Sequence, residues 1–385
     1  MKLDPEDLIV VSQILERDSK VTTYKFALLR ATIDVIQLYD HLITPMAEGK
    51  RVLIPTGLIV ERWIWYYYPL LENDFFPQIH GESVTGEGPV IAFRRTFTEL
   101  IRAWQEYGRF TQFYNDYRKM TLPEGINHLL GSLVKELYQT ITRMPMKHIG
   151  QYGSGELYSI YRIEDGRKRT PEGAVISTDF LIRNMGTFSI PYKFYLTLKY
   201  LGTFIEGTES VLNKWADFIT VANRKYTVSK EIVLDRLYRT PEMYRDVGEV
   251  KRFYLSRLDG GGLFCVWSGK RLGRDTMDVD HVLPFARFPN NSFWNLLPAA
   301  RSINNNKRDR IPEPELLDKR EGMIFEYWDM LREHYEEAFL QEVQLDLLPA
   351  TRQSNFPDWE HAALDGLKEK ADFLIRVRGI EGWRL

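Results

Sequence analysis

The chain has 385 residues, 44% of them apolar and 27% charged, with a formal net charge of −2. That length supports two or three domains and a sizeable core, and the charge balance excludes a uniformly basic nucleic-acid coat. The single cysteine, Cys265, excludes an intrachain disulfide framework and a Cys-rich zinc site, and it fits a reducing, cytoplasmic setting. No apolar run reaches the roughly 18–20 residues that a membrane-spanning helix needs. The acidic, amphipathic start lacks the basic flank of a signal peptide.

In chain order, residues 5–17 read as a short helix. Thr22 and Thr23 stand ready to cap a second, in which Phe26, Leu29, Ile33 and Ile36 recur at helical spacing. A short apolar run, Val52 to Ile54, precedes Pro55-Thr56-Gly57 and the aromatic helix LIVERWIWYYYPLLE. Helix, strand, helix is the order of a winged-helix-like module and equally of a plain helical bundle. Residues 92–120 and 124–144 read as two long amphipathic helices. A breaker cluster at 150–155 leads to an alternating strand at 156–163. Helices follow at 190–223, at 230–238 behind a Thr227–Ser229 cap, and from Thr240-Pro241-Glu242 towards three glycines at 260–262. Helices near 321–342 and 358–377 close the chain.

Charge is unevenly spread. Residues 251–312 hold 11 Lys and Arg against 5 Asp and Glu, so this basic stretch lies in an otherwise acidic chain. A local phosphate-binding surface has this look, and so does a solvated charged face. Within it, GLFCVWSG and MDVDHVLP read as two strands joined by the turn KRLGRDT. In a regular strand Asp280 and His281 face opposite ways, so both serve one site only if the strand ends there, which Pro284 favours. Pro289-Asn290-Asn291 signals a turn. From Leu297 or Pro298 the pattern becomes helical, with Arg301, Asn304, Lys307 and Arg308 on one face. Asp280 and Asn304 offer hard oxygens suited to Mg²⁺, and a neutral His281 can take a proton from water. Asp278 reads either as a second acidic contact or as an exposed strand-edge charge.

Asp280-His281, Asn295 fourteen residues beyond the histidine, Asn304 nine further on and Lys307 three beyond that resemble the HNH endonucleases, the ββα-metal nucleases. The resemblance implies a metal held by Asp280 and Asn304 and His281 as general base. It also implies that Asn295 braces the loop and orients His281, and that Lys307 contacts phosphate. Helix geometry adds Arg301 and Arg308 as phosphate contacts. Cys265-Val266-Trp267-Ser268 lacks the second cysteine of a zinc pair, which resembles the zinc-free branch; Trp267, Trp294 and Phe293 would pack in place of that metal. The stretch TTYKFALLRATIDVI is similar to the front helix of bacterial HNH proteins of restriction and phage defence.

The expected fold is α+β, a mostly helical protein carrying a small ββα-metal module. The expected divisions are a helical amino-terminal domain at 1–150, a mostly helical region at 151–249, the nuclease module at 250–315 and a helical cover at 316–385. The expected function is hydrolysis of double-stranded DNA with Mg²⁺ or Mn²⁺, without structural zinc or membrane. A homodimer contact or a regulatory partner would use residues 1–250. Rival readings are an RNase or single-strand nuclease on the same module, and a DNA-binding or adaptor subunit with a silent nuclease fold.

Overall fold

The computed structural model describes residues 21–385 except 73–74, 84–86, 150–159, 172, 207–210, 223–227, 240–244, 259–261 and 350–356. The helix expected at 5–17 and the first half of the strand expected at 156–163 lie outside the described residues. The fold is α+β and mostly helical. It divides into two compact units, Met1–Glu242 and Met243–Leu385, so the boundaries drawn from sequence at 150 and 315 fall inside units.

The first unit is built on two helices. In α1 (Tyr24–Leu38), Phe26, Leu29, Ile33 and Ile36 are all buried, as their spacing predicts. Thr23 makes no side-chain cap; its hydroxyl instead meets Tyr67 Oη and Gln78 Oε1, each at 2.9 Å. Helix α2 (Thr56–Leu71) is buried on every residue but Arg62, as befits a helix apolar all round. It lies directly on backbone, since a Cβ on Gly57 would come within 2.1 Å of the Leu181 carbonyl oxygen.

A four-stranded antiparallel sheet accompanies them. Its strands are β1 (Thr44–Pro45), β2 (Arg51–Pro55), β3 (Arg162–Asp165) and β4 (Thr187–Pro191), in the order β1-β2-β4-β3. The pattern reveals β2 but not β4, whose partner lies far away in sequence. The long helix read at 92–120 is two, Arg94–Trp104 and Phe110–Arg118, broken around Gly108.

The second unit opens with α3 (Gly248–Leu258). Strand β5 (Met277–His281) pairs antiparallel with β6 (Leu296–Ala300), and α4 (Arg301–Lys307) follows at once. This corrects two expectations. The partner of β5 is not 262–269, which forms only an isolated bridge, Phe264 to Arg271, and docks on β6 through Val266 N to Pro298 O at 2.9 Å. Residues 297–300 are strand rather than helix, because Pro298 needs no donor in a two-stranded ladder.

The 33-residue helix α5 (Pro314–Asp346) and α6 (Trp359–Arg376) enclose this module. Trp267, Trp294, Trp328 and Trp383 are fully buried in one apolar cluster with residues from both helices. Trp267 meets Trp383 edge-on at 5.3 Å, and Phe293 stacks on Tyr335 at 4.0 Å.

Candidate active site

Strand β5 sets the site. Met277 and Val279 point into the core, so Asp278 and Asp280 share the opposite face, towards α4. His281 is the last residue of the strand, and the chain turns away beyond it. The strand end that lets neighbouring residues serve one site is therefore present.

Asp278, Asp280, His281, Asn304, Arg245 and Arg308 line a cavity of about 400 Å³. Asp280 is 3% exposed and His281 2%. Asp280 Oδ2 accepts from Trp267 Nε1 at 2.6 Å and from Lys307 Nζ at 2.8 Å. Lys307 Nζ also donates to the His281 carbonyl. Burial pushes the Asp280 carboxyl up and the Lys307 ammonium down, and their mutual attraction opposes both.

The Asn304 amide donates to Asp278 Oδ2 at 2.9 Å, and Lys251 reaches Asp278 Oδ1 at 3.3 Å. Burial raises the Asp278 carboxyl, but the hydrogen bonds from Asn304, the Val279 N–H and Lys251 leave it below the ordinary range. Burial lowers His281 to about 4, with the charges of Arg245 and Lys307 acting the same way against its hydrogen bond to the Asn291 amide oxygen. The ring is therefore neutral near pH 7.

The sequence-derived residues separate into two groups. Asp280, His281, Asn304 and Arg308 meet at the cavity. Arg301 is exposed at the start of α4 and lines no part of it. Lys307 is fully buried, so the contact with phosphate expected of it is corrected to an ion pair beneath the site. Asn295 ties the loop together: its Oδ1 accepts from Leu283 N at 2.8 Å, and its Nδ2 donates to Leu283 O and Asn290 O. It does not touch the His281 ring, whose Nε2 lies 3.1 Å from Asn291 Oδ1.

Sequence reasoning passed over Arg245, Asn291 and Asp346. Arg245 lies ahead of the motif and donates to the Val279 carbonyl at 3.3 Å. Asn291 looked like a turn residue only. Asp346, at the end of α5, collects Asn290 Nδ2, Ser292 Oγ and Trp294 Nε1 at 2.9–3.0 Å. Nothing local signals that last contact.

Asp280 and Asn304 suit a hard cation. Asp280 Oδ1 and the Asn304 amide oxygen accept no hydrogen bond among the described residues, and both residues line the cavity. No group of three or more His, Cys, Asp or Glu among the described residues forms a metal cage, but Mg²⁺ needs only one or two protein oxygens beside its waters.

Two strands and a helix gathered round Asp-His define a ββα site. Residues 265–313 match the model of the HNH endonuclease family, so this segment is similar to HNH endonucleases and supports a nuclease module acting on nucleic acid. Residues 4–237 match the family described as a domain of unknown function, DUF8808. That match covers more than half of the chain, and the chain belongs to this family. No curated protein and no solved structure matches it. No described helix is long and apolar enough to cross a membrane.

Proposed function

We propose that this protein is a metal-dependent endonuclease that hydrolyses phosphodiester bonds in double-stranded DNA. The observation that carries the reading is the convergence of Asp280, His281 and Asn304 on one cavity. Mg²⁺ or Mn²⁺ held by Asp280 and Asn304 would stabilise charge on the phosphate and on the leaving oxygen. His281, kept neutral by burial, takes the proton of the attacking water. Asn295 holds the loop that follows His281. Arg308 and Arg245 bring positive charge to the cavity wall, and Asp278 holds the Asn304 amide so that its oxygen is left for the cation.

Trp267 and Trp294 fill the module's core where other members use zinc, which supports the zinc-free reading. The likeness of residues 22–36 to restriction and phage-defence proteins supports a role in bacterial host defence. The lone cysteine fits a cytoplasmic setting. An unrestrained nuclease harms its host, so residues 1–250 are where we place a homodimer contact or a regulatory partner.

Plasmid cleavage with Mg²⁺, Mn²⁺ or EDTA tests the proposal, using wild type and His281→Ala. The expected result is metal-dependent cleavage by wild type and none by the variant, with DNA binding retained. Near wild-type cleavage by the variant removes the mechanism. Parallel arms with single-stranded DNA and RNA decide the nucleic-acid class, because no cavity residue is committed to reading the sugar. Inactivity on every substrate and metal leaves a silent binding subunit.

A further inference from the structure

We infer that Asn291 is a positioning residue that holds the His281 imidazole as a single tautomer, with the proton on Nε2 and the lone pair on Nδ1. The catalytic part of this inference rests on the nuclease reading; the tautomer itself does not.

The two ends of an amide differ in what they can do. Asn291 Oδ1 lies 3.1 Å from the backbone nitrogen of Asp246. A backbone N–H only donates, so the Asn291 atom facing it is the oxygen and not the NH₂ group. The same oxygen lies 3.1 Å from His281 Nε2. An amide oxygen only accepts, so Nε2 carries the hydrogen. A neutral imidazole has one N–H, which leaves Nδ1 as the base.

Nδ1 accepts no hydrogen bond among the described residues, and His281 lines the cavity that Asn291 does not. Phe285, edge-on to the ring at 5.4 Å, restrains its rotation.

The lock is anchored outside the segment that resembles HNH endonucleases, which begins at residue 265. Asp246 lies in a short strap ahead of α3. Its Oδ1 accepts from Gly248 N at 3.0 Å, and its neighbour Arg245 is tied to the Val279 carbonyl. One side of the strap therefore orients Asn291 while the other holds β5.

The test uses the full chain with Asn291→Leu, which keeps volume but removes the acceptor, and Asn291→Asp, which restores an acceptor. Nitrogen-15 NMR of the imidazoles is recorded on metal-free protein, with His281 assigned among the 7 histidines by its loss in His281→Gln. Wild type and Asn291→Asp are expected to show the Nε2-protonated pattern, and Asn291→Leu a mixture of tautomers. In cleavage assays Asn291→Leu is expected to lose about 10–100-fold in kcat, as for other outer-shell partners of a site, with KM within about twofold. Asn291→Asp is expected to recover most of the loss. A wild-type spectrum with Nδ1 protonated overturns the proposal, as does an Asn291→Leu variant with wild-type spectrum and kcat. A wild type that shows the expected spectrum but cleaves no nucleic acid sinks the nuclease reading and, with it, the catalytic role of Asn291.

Discussion

Lys307 and Asp280 form a buried ion pair 2.8 Å long beneath the cavity, with side chains 0% and 4% exposed. Trp267 shares in it, donating to the same carboxylate oxygen while its ring lies 5.2 Å from the ammonium. The pair joins α4 to β5, and so fixes Asn304, three residues before Lys307, opposite Asp280.

Removing one partner of such a pair strands a buried charge. Lys307→Ala is expected to destabilise the second unit by about 3–5 kcal/mol, whereas replacing both partners by apolar residues, Asp280→Leu with Lys307→Met, is expected to cost less, because it strands no charge and leaves only the Trp267 N–H and the His281 carbonyl unmatched. Urea unfolding measures both. The double variant is expected to fold yet cleave nothing, because it lacks the Asp280 oxygen. If Lys307→Ala unfolds like wild type, the pair does not hold the site together.

Asp346 offers a second test of the support. It is 7% exposed and its Oδ2 receives three donors from the loop that leads into β6. Asp346→Ala leaves buried donors on Asn290, Ser292 and Trp294 unmatched, each worth about 1–3 kcal/mol. A loss of about 3 kcal/mol or more in urea unfolding is expected, with a fall in cleavage, although the residue is far from the motif in sequence. Unchanged stability would show that the helix does not brace the loop.

Much of the centre of the site is legible in sequence, while its surroundings are not. Asp280, His281 and Asn304 are readable because their order and spacing follow a short local pattern, and the fold brings all three to one cavity. Helical periodicity also places Lys307 on the same face as Asn304, but periodicity gives direction and not depth. A flexible lysine can reach outward to phosphate or inward to a carboxylate, and here it goes inward. Pro298 misleads for a related reason, since proline suits both a first helical turn and a strand with little ladder to complete. Strand β4 escapes notice because its pairing with Arg51–Pro55 is far from local. Asn291, Arg245 and Asp346 act through contacts that no short pattern encodes.

His281 gives the protein a defined acid sensitivity. Its folded value is about 4 against an ordinary 6.5, because burial disfavours the charged ring. Between those values the unfolded chain binds a proton that the folded chain refuses. Stability therefore falls as pH drops through this window, by about 3 kcal/mol at its lower end, and no further from this group below it. Urea unfolding in EDTA across that range is expected to show a steeper fall for wild type than for His281→Gln. Parallel curves would mean that the ring is protonated in the folded protein at mildly acid pH.

The cations around the cavity should divide by position and not by charge alone. Arg245 and Arg308 line it, Arg301 does not, and Lys307 is committed below it. Arg245 donates only to a backbone carbonyl among the described residues, so its charge is not cancelled by a hydrogen-bonded carboxylate. A cation that contacts phosphate releases counterions on binding, so its loss lowers the slope of log affinity against log salt by about 1. With His281→Ala as the background, so that DNA stays intact, Arg245→Ala and Arg308→Ala are each expected to show that drop and weaker binding at low salt. Arg301→Ala is expected to keep the slope. An equal drop for Arg301→Ala would mean that DNA follows the exposed start of α4 and not the cavity wall, and the arginine assignments would then exchange places.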